Sequence, residues 1–160
     1  MGNIRQMRTE DLERVDQVAV RAWTPIYRLY RKVMGEELFN ILFGNWEEKK
    51  SGEIRNHFAQ HPEWSLVTEE QGNVVGFITY FMDRAKKIGT IGNNAIDPAF
   101  QGRGLGTAQY LEVLRIFREN GMLFASVETG LDEAHAPARA AYEKVGFRQA
   151  IRSAKYYLKL

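Results

Sequence analysis

Residues 94–106 read Asn-Ala-Ile-Asp-Pro-Ala-Phe-Gln-Gly-Arg-Gly-Leu-Gly, and a helical pattern follows at once. An apolar strand end runs into a loop with glycine at 102, 104 and 106, and the loop opens a helix at Thr107. Such a loop can lay backbone N–H groups against a pyrophosphate, with the helix N-terminus adding its partial positive charge. Glycine suits these places because a Cβ would hold the phosphates away or forbid the backbone angles. Two rival phosphate motifs fit worse. The dinucleotide fingerprint G-x-G-x-x-G needs one more residue in its last spacing, and a Walker A loop needs a Gly-Lys-Ser/Thr that is absent here. The plain alternative is a glycine-rich turn that caps a strand and binds nothing.

A second constellation lies downstream. Residues 135–147 read His-Ala-Pro-Ala-Arg-Ala-Ala-Tyr-Glu-Lys-Val-Gly-Phe. Gln101-x-x-Gly104-x-Gly106 resembles the acyl-CoA pyrophosphate loop of the GNAT family of N-acetyltransferases. Ala138, Tyr142, Lys144, Gly146 and Phe147 fit that family's other hallmark, Asn-x-x-Ala-x-x-x-Tyr-x-Lys-x-Gly-Phe. His135 stands where Asn is usual, and imidazole can also donate a hydrogen bond. The resemblance covers residues 64–160 well and the helical first third in outline.

The resemblance implies a fold and a reaction. It implies a single domain over residues 1–160, an α/β fold with a mixed central β-sheet splayed between strands 4 and 5 and flanked by helices. Acetyl-CoA would lie in the opening. Backbone groups near Ile96 would pair with the pantetheine arm, and His135 would contact the cofactor. Gln101, Gly102, Arg103, Gly104, Leu105, Gly106 and Thr107 would hold the pyrophosphate, although Arg103 fits a solvated side chain equally well. The reaction implied is direct transfer of an acetyl group to a primary amine of a small molecule or a protein N-terminus. A free alkyl amine has a pKa of about 10 and must lose a proton before it attacks. The leaving thiolate must gain one. Tyr142 matches the family tyrosine beside the thioester sulfur, so it is the candidate acid. A helical Tyr packed against Ala138, Ala141 and Val145 is the plain alternative. Glu128, expected at the end of the fifth strand, is the candidate base; an exposed or ion-paired carboxylate explains it equally, and Asp97 and Asp132 are weaker candidates.

Positioning these groups requires a particular order of elements. Ile4–Arg8 reads as a short strand. Thr9 could cap a helix whose stripe is Leu12, Val15, Val18, Ala19 and Ala22. Pro25 disfavours helix at Thr24, so this helix is expected to end or kink there. Residues 26–60 read as further helix, broken near Gly35, Gly44 and Gly52. Trp64–Glu69 and Val74–Phe81 read as strands joined by Gln71-Gly72-Asn73. Ile88–Ile96 is the strand that feeds the glycine loop, Thr107–Glu119 a helix ending at Asn120-Gly121, and Leu123–Glu128 a strand. Pro137 suits the first turn of a last helix that Gly146 ends. Phe147–Leu160 carries one or two final strands, of which Lys155–Leu160 is clearest. The unit from Ile88 to Val127 should make a right-handed parallel crossover.

Composition narrows the function. The chain of 160 residues is 44% hydrophobic and 26% charged, with a formal charge of +2. This is ordinary for a globular protein, and the imbalance is too small to argue for a nucleic-acid partner. Cysteine is absent, which excludes disulfides, thiolate metal sites and an acyl-enzyme thioester. Residues 1–20 carry no apolar signal-peptide core, and no apolar run approaches a membrane span, so a cytoplasmic location with no membrane partner is expected. No metal is expected either. His57 and His61 have helical i,i+4 spacing, but Pro62 disfavours helix at His61 and no third ligand is evident. Arg28, Arg31 and Lys32 fit a solvated basic face. Trp23, Tyr27 and Tyr30 belong to an aromatic stripe that is expected to be mostly core, and by the family's plan could line an acceptor pocket. A homodimer through the apolar Tyr156, Tyr157, Leu158 and Leu160 is possible, and a final core strand explains them equally. Two other functions stay open: a CoA-binding sensor or regulatory module without turnover, and a nucleotide-binding protein using the glycine loop.

Overall fold

The sheet grows outward from one tight turn. In the computed structural model, which describes residues 2–149 and 151–160, Gln71 and Gly72 both take positive φ, 52° and 78°. That geometry matches the twist of a two-residue hairpin. It joins β2 (Ser65–Glu70) to β3 (Asn73–Asp83) in antiparallel fashion. On the outer sides, β1 (Asn3–Gln6) pairs with β2 and β4 (Ile88–Ile96) with β3, both antiparallel. A helix, α4 (Leu105–Glu119), then carries the chain back to β5 (Phe124–Val127), which pairs parallel to β4. The five strands thus follow sequence order across a mixed sheet.

Both faces of β3 are covered, which is why Val74–Tyr80 is buried without alternation. On one face lie α1 (Leu12–Met34) and α3 (Trp46–Gln60), with α2 (Glu36–Phe43) between them in sequence. Val15, Val18, Ala19 and Ile54 pack there against Val67 and Phe77. On the other face Tyr110, Val113 and Phe117 of α4 pack against Leu66, Ile78 and Tyr80, joined by Tyr142 of α5 (Ala136–Lys144).

One irregularity shapes the site. Between Ile78 and Tyr80 the β3–β4 register shifts, so that Gly92 and Asn93 together face Thr79. Such a bulge bends its strand and re-aims the next side chains. Gly92 is needed there, because a Cβ would come within 2.7 Å of the Thr79 hydroxyl. Pairing with β5 covers only Ile88–Ile91. Residues 92–96 leave β5 behind, and this is the splay expected between the fourth and fifth strands.

Several local expectations are corrected. Helix α1 runs through Pro25 to Met34. Proline removes the hydrogen bond that its own N–H would give to Arg21 and crowds the Arg21 carbonyl, but the helix does not end there, and Thr24 Oγ1 donates to the Val20 carbonyl at 2.7 Å beside the gap. Thr9 does not cap α1. It begins a single 3-10 turn, Thr9–Asp11, in which the Asp11 carboxylate accepts from the Arg8 backbone N–H at 2.7 Å. The Arg5 guanidinium also bonds Asp11 and holds its carboxyl below the usual carboxylate range. Gly35 and Gly44 separate helices, but Gly52 lies inside α3. The glycine loop opens its helix at Leu105 rather than Thr107. The expected strand over Lys155–Leu160 does not form, and residues 151–160 are exposed throughout. Alternating Tyr156, Leu158 and Leu160 have strand character, but a strand needs a ladder to join. The outer side of β5 is unpaired among the described residues, and Lys159 reaches Glu37 of α2 instead.

Candidate active site

The splay opens into a cavity of about 870 Å³. Its walls come from α1, the open half of β4, the glycine loop, the segment after β5, and α5.

At one end sits the start of α4. Gly104 takes φ 80°, ψ 2° as the residue before the helix. Gly102 is also left-handed, at φ 76°. A side chain at either place would be strained, so the turn depends on glycine. The first intrahelical bond recorded is Ala108 N–H to the Gly104 carbonyl at 3.0 Å. The N–H groups of Leu105, Gly106 and Thr107 precede it and have no helical acceptor. All three residues line the cavity. The helix of 15 residues adds its positive end there. A Cβ on Gly106 would meet only Ile96, at 3.8 Å, so the protein itself has room for alanine. What the glycine keeps clear is the cavity.

Two of the expected pyrophosphate residues also make contacts within the protein. Gln101 lines the cavity, but its side-chain amide donates to the Ile96 carbonyl at 2.9 Å and ties the loop back to β4. Arg103 is outside the lining. It meets Glu70 at 3.3 Å, donates to the Ala99 carbonyl and lies over the Phe100 ring. More than half of this side chain is exposed, which fits the solvated reading.

Asp97 is fully buried and is tied to arginines rather than poised as a base. Its carboxylate meets Arg14 at 2.7 Å and Arg21 at 3.1 Å, both from α1, and accepts from the Ala99 backbone N–H. These bonds join the end of β4 to the helix that forms the opposite wall.

At the other end lies Tyr142, 6% exposed. Its ring packs beside Ala138, Ala141, Val145 and Phe147, and the side chain also lines the cavity. Its hydroxyl accepts from Asn94 Nδ2 at 3.3 Å. Asn94 in turn accepts from the Tyr110 hydroxyl at 2.8 Å. Asn93 and Asn94 escaped the sequence reading. The available signal was two adjacent amides in a strand otherwise built of Ile, Gly, Thr and Ala.

Glu128 and His135 share this part of the lining. Glu128 follows directly after β5, is exposed, and makes no ion pair among the described residues. His135 Nδ1 is 2.7 Å from Asp132 Oδ2, and its backbone N–H also bonds that carboxylate. Asp132 is thereby committed to His135. Arg139 supports the same turn through the Gly130 and Asp132 carbonyls, each at 2.7 Å. Trp23 lines the cavity and stacks on Phe77, its centroid 6.2 Å away. Tyr27 stacks on Trp46 outside the cavity, and Tyr30 approaches the His135 ring. Burial raises both tyrosine phenols. His57 and His61 are absorbed by packing around Trp64 and Phe81. No group of three metal-ligating side chains occurs among the described residues. No described helix is long and apolar enough to cross a membrane.

A model of the acetyltransferase (GNAT) family matches residues 23–147. No curated protein sequence matches significantly. Among solved structures, the chain resembles the PaiA N-acetyltransferase from Thermoplasma acidophilum in complex with coenzyme A, with TM-score 0.73, 18% identity, and 92% of this chain and 90% of that one covered. It also resembles a GNAT family acetyltransferase from Brucella melitensis in complex with acetyl-CoA, with TM-score 0.62, 24% identity and coverage of 93% and 84%. A third is the ribosomal-protein-S18-alanine N-acetyltransferase from Escherichia coli, with TM-score 0.65, 22% identity and coverage of 94% and 80%.

Proposed function

Because this chain belongs to the acetyltransferase (GNAT) family, we propose that it is an acetyl-CoA-dependent N-acetyltransferase acting on a primary amine of a small molecule or a protein N-terminus. One observation carries this reading. The free N–H groups at the start of α4 and the Tyr142 side chain line the same cavity. An anion-binding end and a proton donor are what a thioester with a pyrophosphate handle requires.

Bound acetyl-CoA supplies an acetyl thioester, whose carbonyl carbon is attacked by the amine nitrogen. The N–H groups of Leu105, Gly106 and Thr107 hold the pyrophosphate. The open edge of β4 at residues 92–96 pairs with the pantetheine amides, with Gln101 fixing the Ile96 carbonyl. His135, held by Asp132, closes the far side of the donor site. Glu128 takes a proton from the ammonium form of the acceptor, directly or through water. As the new C–N bond forms, the nitrogen gives up its second proton to water; as the C–S bond breaks, the Tyr142 hydroxyl gives its proton to the leaving sulfur, and the phenolate regains one from solvent.

Two measurements test this. Acetyl-CoA at about 100 times its Kd should stabilise the fold by roughly 2.7 kcal/mol, with no such shift from ATP or NAD. Its absence at millimolar acetyl-CoA defeats the proposal. With an amine that is acetylated, Glu128→Gln should lower kcat/KM by about 10²-fold and abolish the acid limb of its pH profile. An unchanged profile removes Glu128 as the base.

A further inference from the structure

The Asn94 amide is oriented unambiguously. Its Nδ2 lies 3.0 Å from the Gly92 carbonyl. A carbonyl oxygen only accepts, so the nitrogen must be on that side. The Oδ1 then faces Tyr110, whose hydroxyl must donate to it, at 2.8 Å. Burial pushes the Tyr110 phenol upward and keeps it protonated. The second hydrogen on Nδ2 is directed at the Tyr142 oxygen, 3.3 Å away.

This arrangement dictates what Tyr142 can do. Its oxygen already receives a hydrogen from Asn94, and Nδ2 carries no lone pair to accept one back. Besides Asn94, the Tyr110 hydroxyl also pairs with the Tyr142 side chain, and because its own hydrogen goes to Asn94 it has only its oxygen to offer. The Tyr142 hydrogen can therefore turn only to Tyr110 or to the cavity. When that hydrogen leaves as a proton, the phenolate keeps the Asn94 donor and is stabilised by it.

We propose that Asn94 is a positioning residue for acetyl transfer: it aims the Tyr142 O–H at the leaving sulfur and supports the phenolate that remains. The inference rests on the general-acid reading of Tyr142. It extends that reading to a Tyr110–Asn94–Tyr142 relay assembled by the β4 bulge, which places Gly92 and Asn94 side by side.

Asn94→Asp is nearly isosteric but turns the donor into an acceptor. The Tyr142 hydroxyl would then donate to the carboxylate instead of the thioester. Expected is a fall in kcat of about 10²-fold, matching Tyr142→Phe, with the KM for acetyl-CoA close to wild type. Asn94→Asp added to Tyr142→Phe should cost nothing further, because both remove the same proton delivery. A purely structural Asn94 would multiply the two losses and raise the KM. Either result, or an unchanged kcat in Asn94→Asp, overturns the assignment. Should the aspartate variant fail to fold, Asn94→Leu carries the same double-variant test, with a smaller expected loss of about tenfold. Unchanged turnover in Tyr142→Phe alone would instead overturn the general-acid reading, so the two failures are distinguishable.

Discussion

Tyr142→Phe lowers the turnover of acetyl transfer by about 10²-fold while acetyl-CoA still binds near its wild-type affinity. The ring is almost fully buried among Ala138, Ala141, Val145 and Phe147, and phenylalanine keeps all of that packing. What disappears is one hydroxyl, and with it the proton for the departing sulfur. The structural cost is small because the two partners of the Tyr142 hydroxyl stay paired without it: Asn94 Nδ2 keeps the Gly92 carbonyl, and the Tyr110 hydroxyl keeps Asn94. Steady-state kinetics with CoA release as the signal, alongside a binding isotherm for acetyl-CoA, checks both halves. Loss of turnover with an unchanged dissociation constant is the expected pattern. Wild-type turnover would leave Tyr142 as a packing residue only.

The second large effect divides stability from binding at one position. Gly106→Ala should raise the melting temperature, because glycine in a helix costs about 0.8–1.0 kcal/mol relative to alanine. The new methyl has room beside Ile96. If the α4 N–H groups hold the pyrophosphate as proposed, the same methyl crowds it, so acetyl-CoA affinity should fall by about tenfold or more. Calorimetric titration and thermal unfolding on the same preparation measure both. A variant that is stabilised and still binds acetyl-CoA normally would show that the loop does not clasp the phosphates. Gly104 cannot serve as this probe. Its left-handed backbone would strain any replacement and confuse folding with binding.

The parts of this fold that the sequence made legible are those governed by local chemistry. Strand β4 was expected over Ile88–Ile96 and found there, since its β-branched residues sit between a turn and a glycine loop. The hairpin at Gln71-Gly72 and the helix stop at Gly146 follow from residues that tolerate positive φ. The misses have a common cause, which is that the deciding partner is remote in sequence. Pro25 reads as a breaker, yet α1 is held by packing against the sheet before it and by Tyr27 and Tyr30 against Phe43 and Trp46 after it. The tail from Lys155 reads as a strand, yet no neighbouring edge receives it. Asn94 was missed for the same reason. Its meaning depends on Tyr110 and Tyr142, which reach it from two different helices.

On the proposed function, the donor half of the cavity is built largely of main chain: glycine turns, helix N–H groups and the unpaired edge of a strand. The acceptor half then leans on side chains of α1, where Ala22, Trp23 and Ile26 line the opening. Main-chain groups do not change when a codon does. The buried Asp97 fastens this helix to the donor loop through Arg14 and Arg21, which are separate from those lining residues. Such a joint lets the lining be rewritten residue by residue while the cofactor end stays in register. A scaffold divided in this way is well suited to divergence: a new amine can be recruited by ordinary point mutation, without first relearning how to hold the acetyl donor.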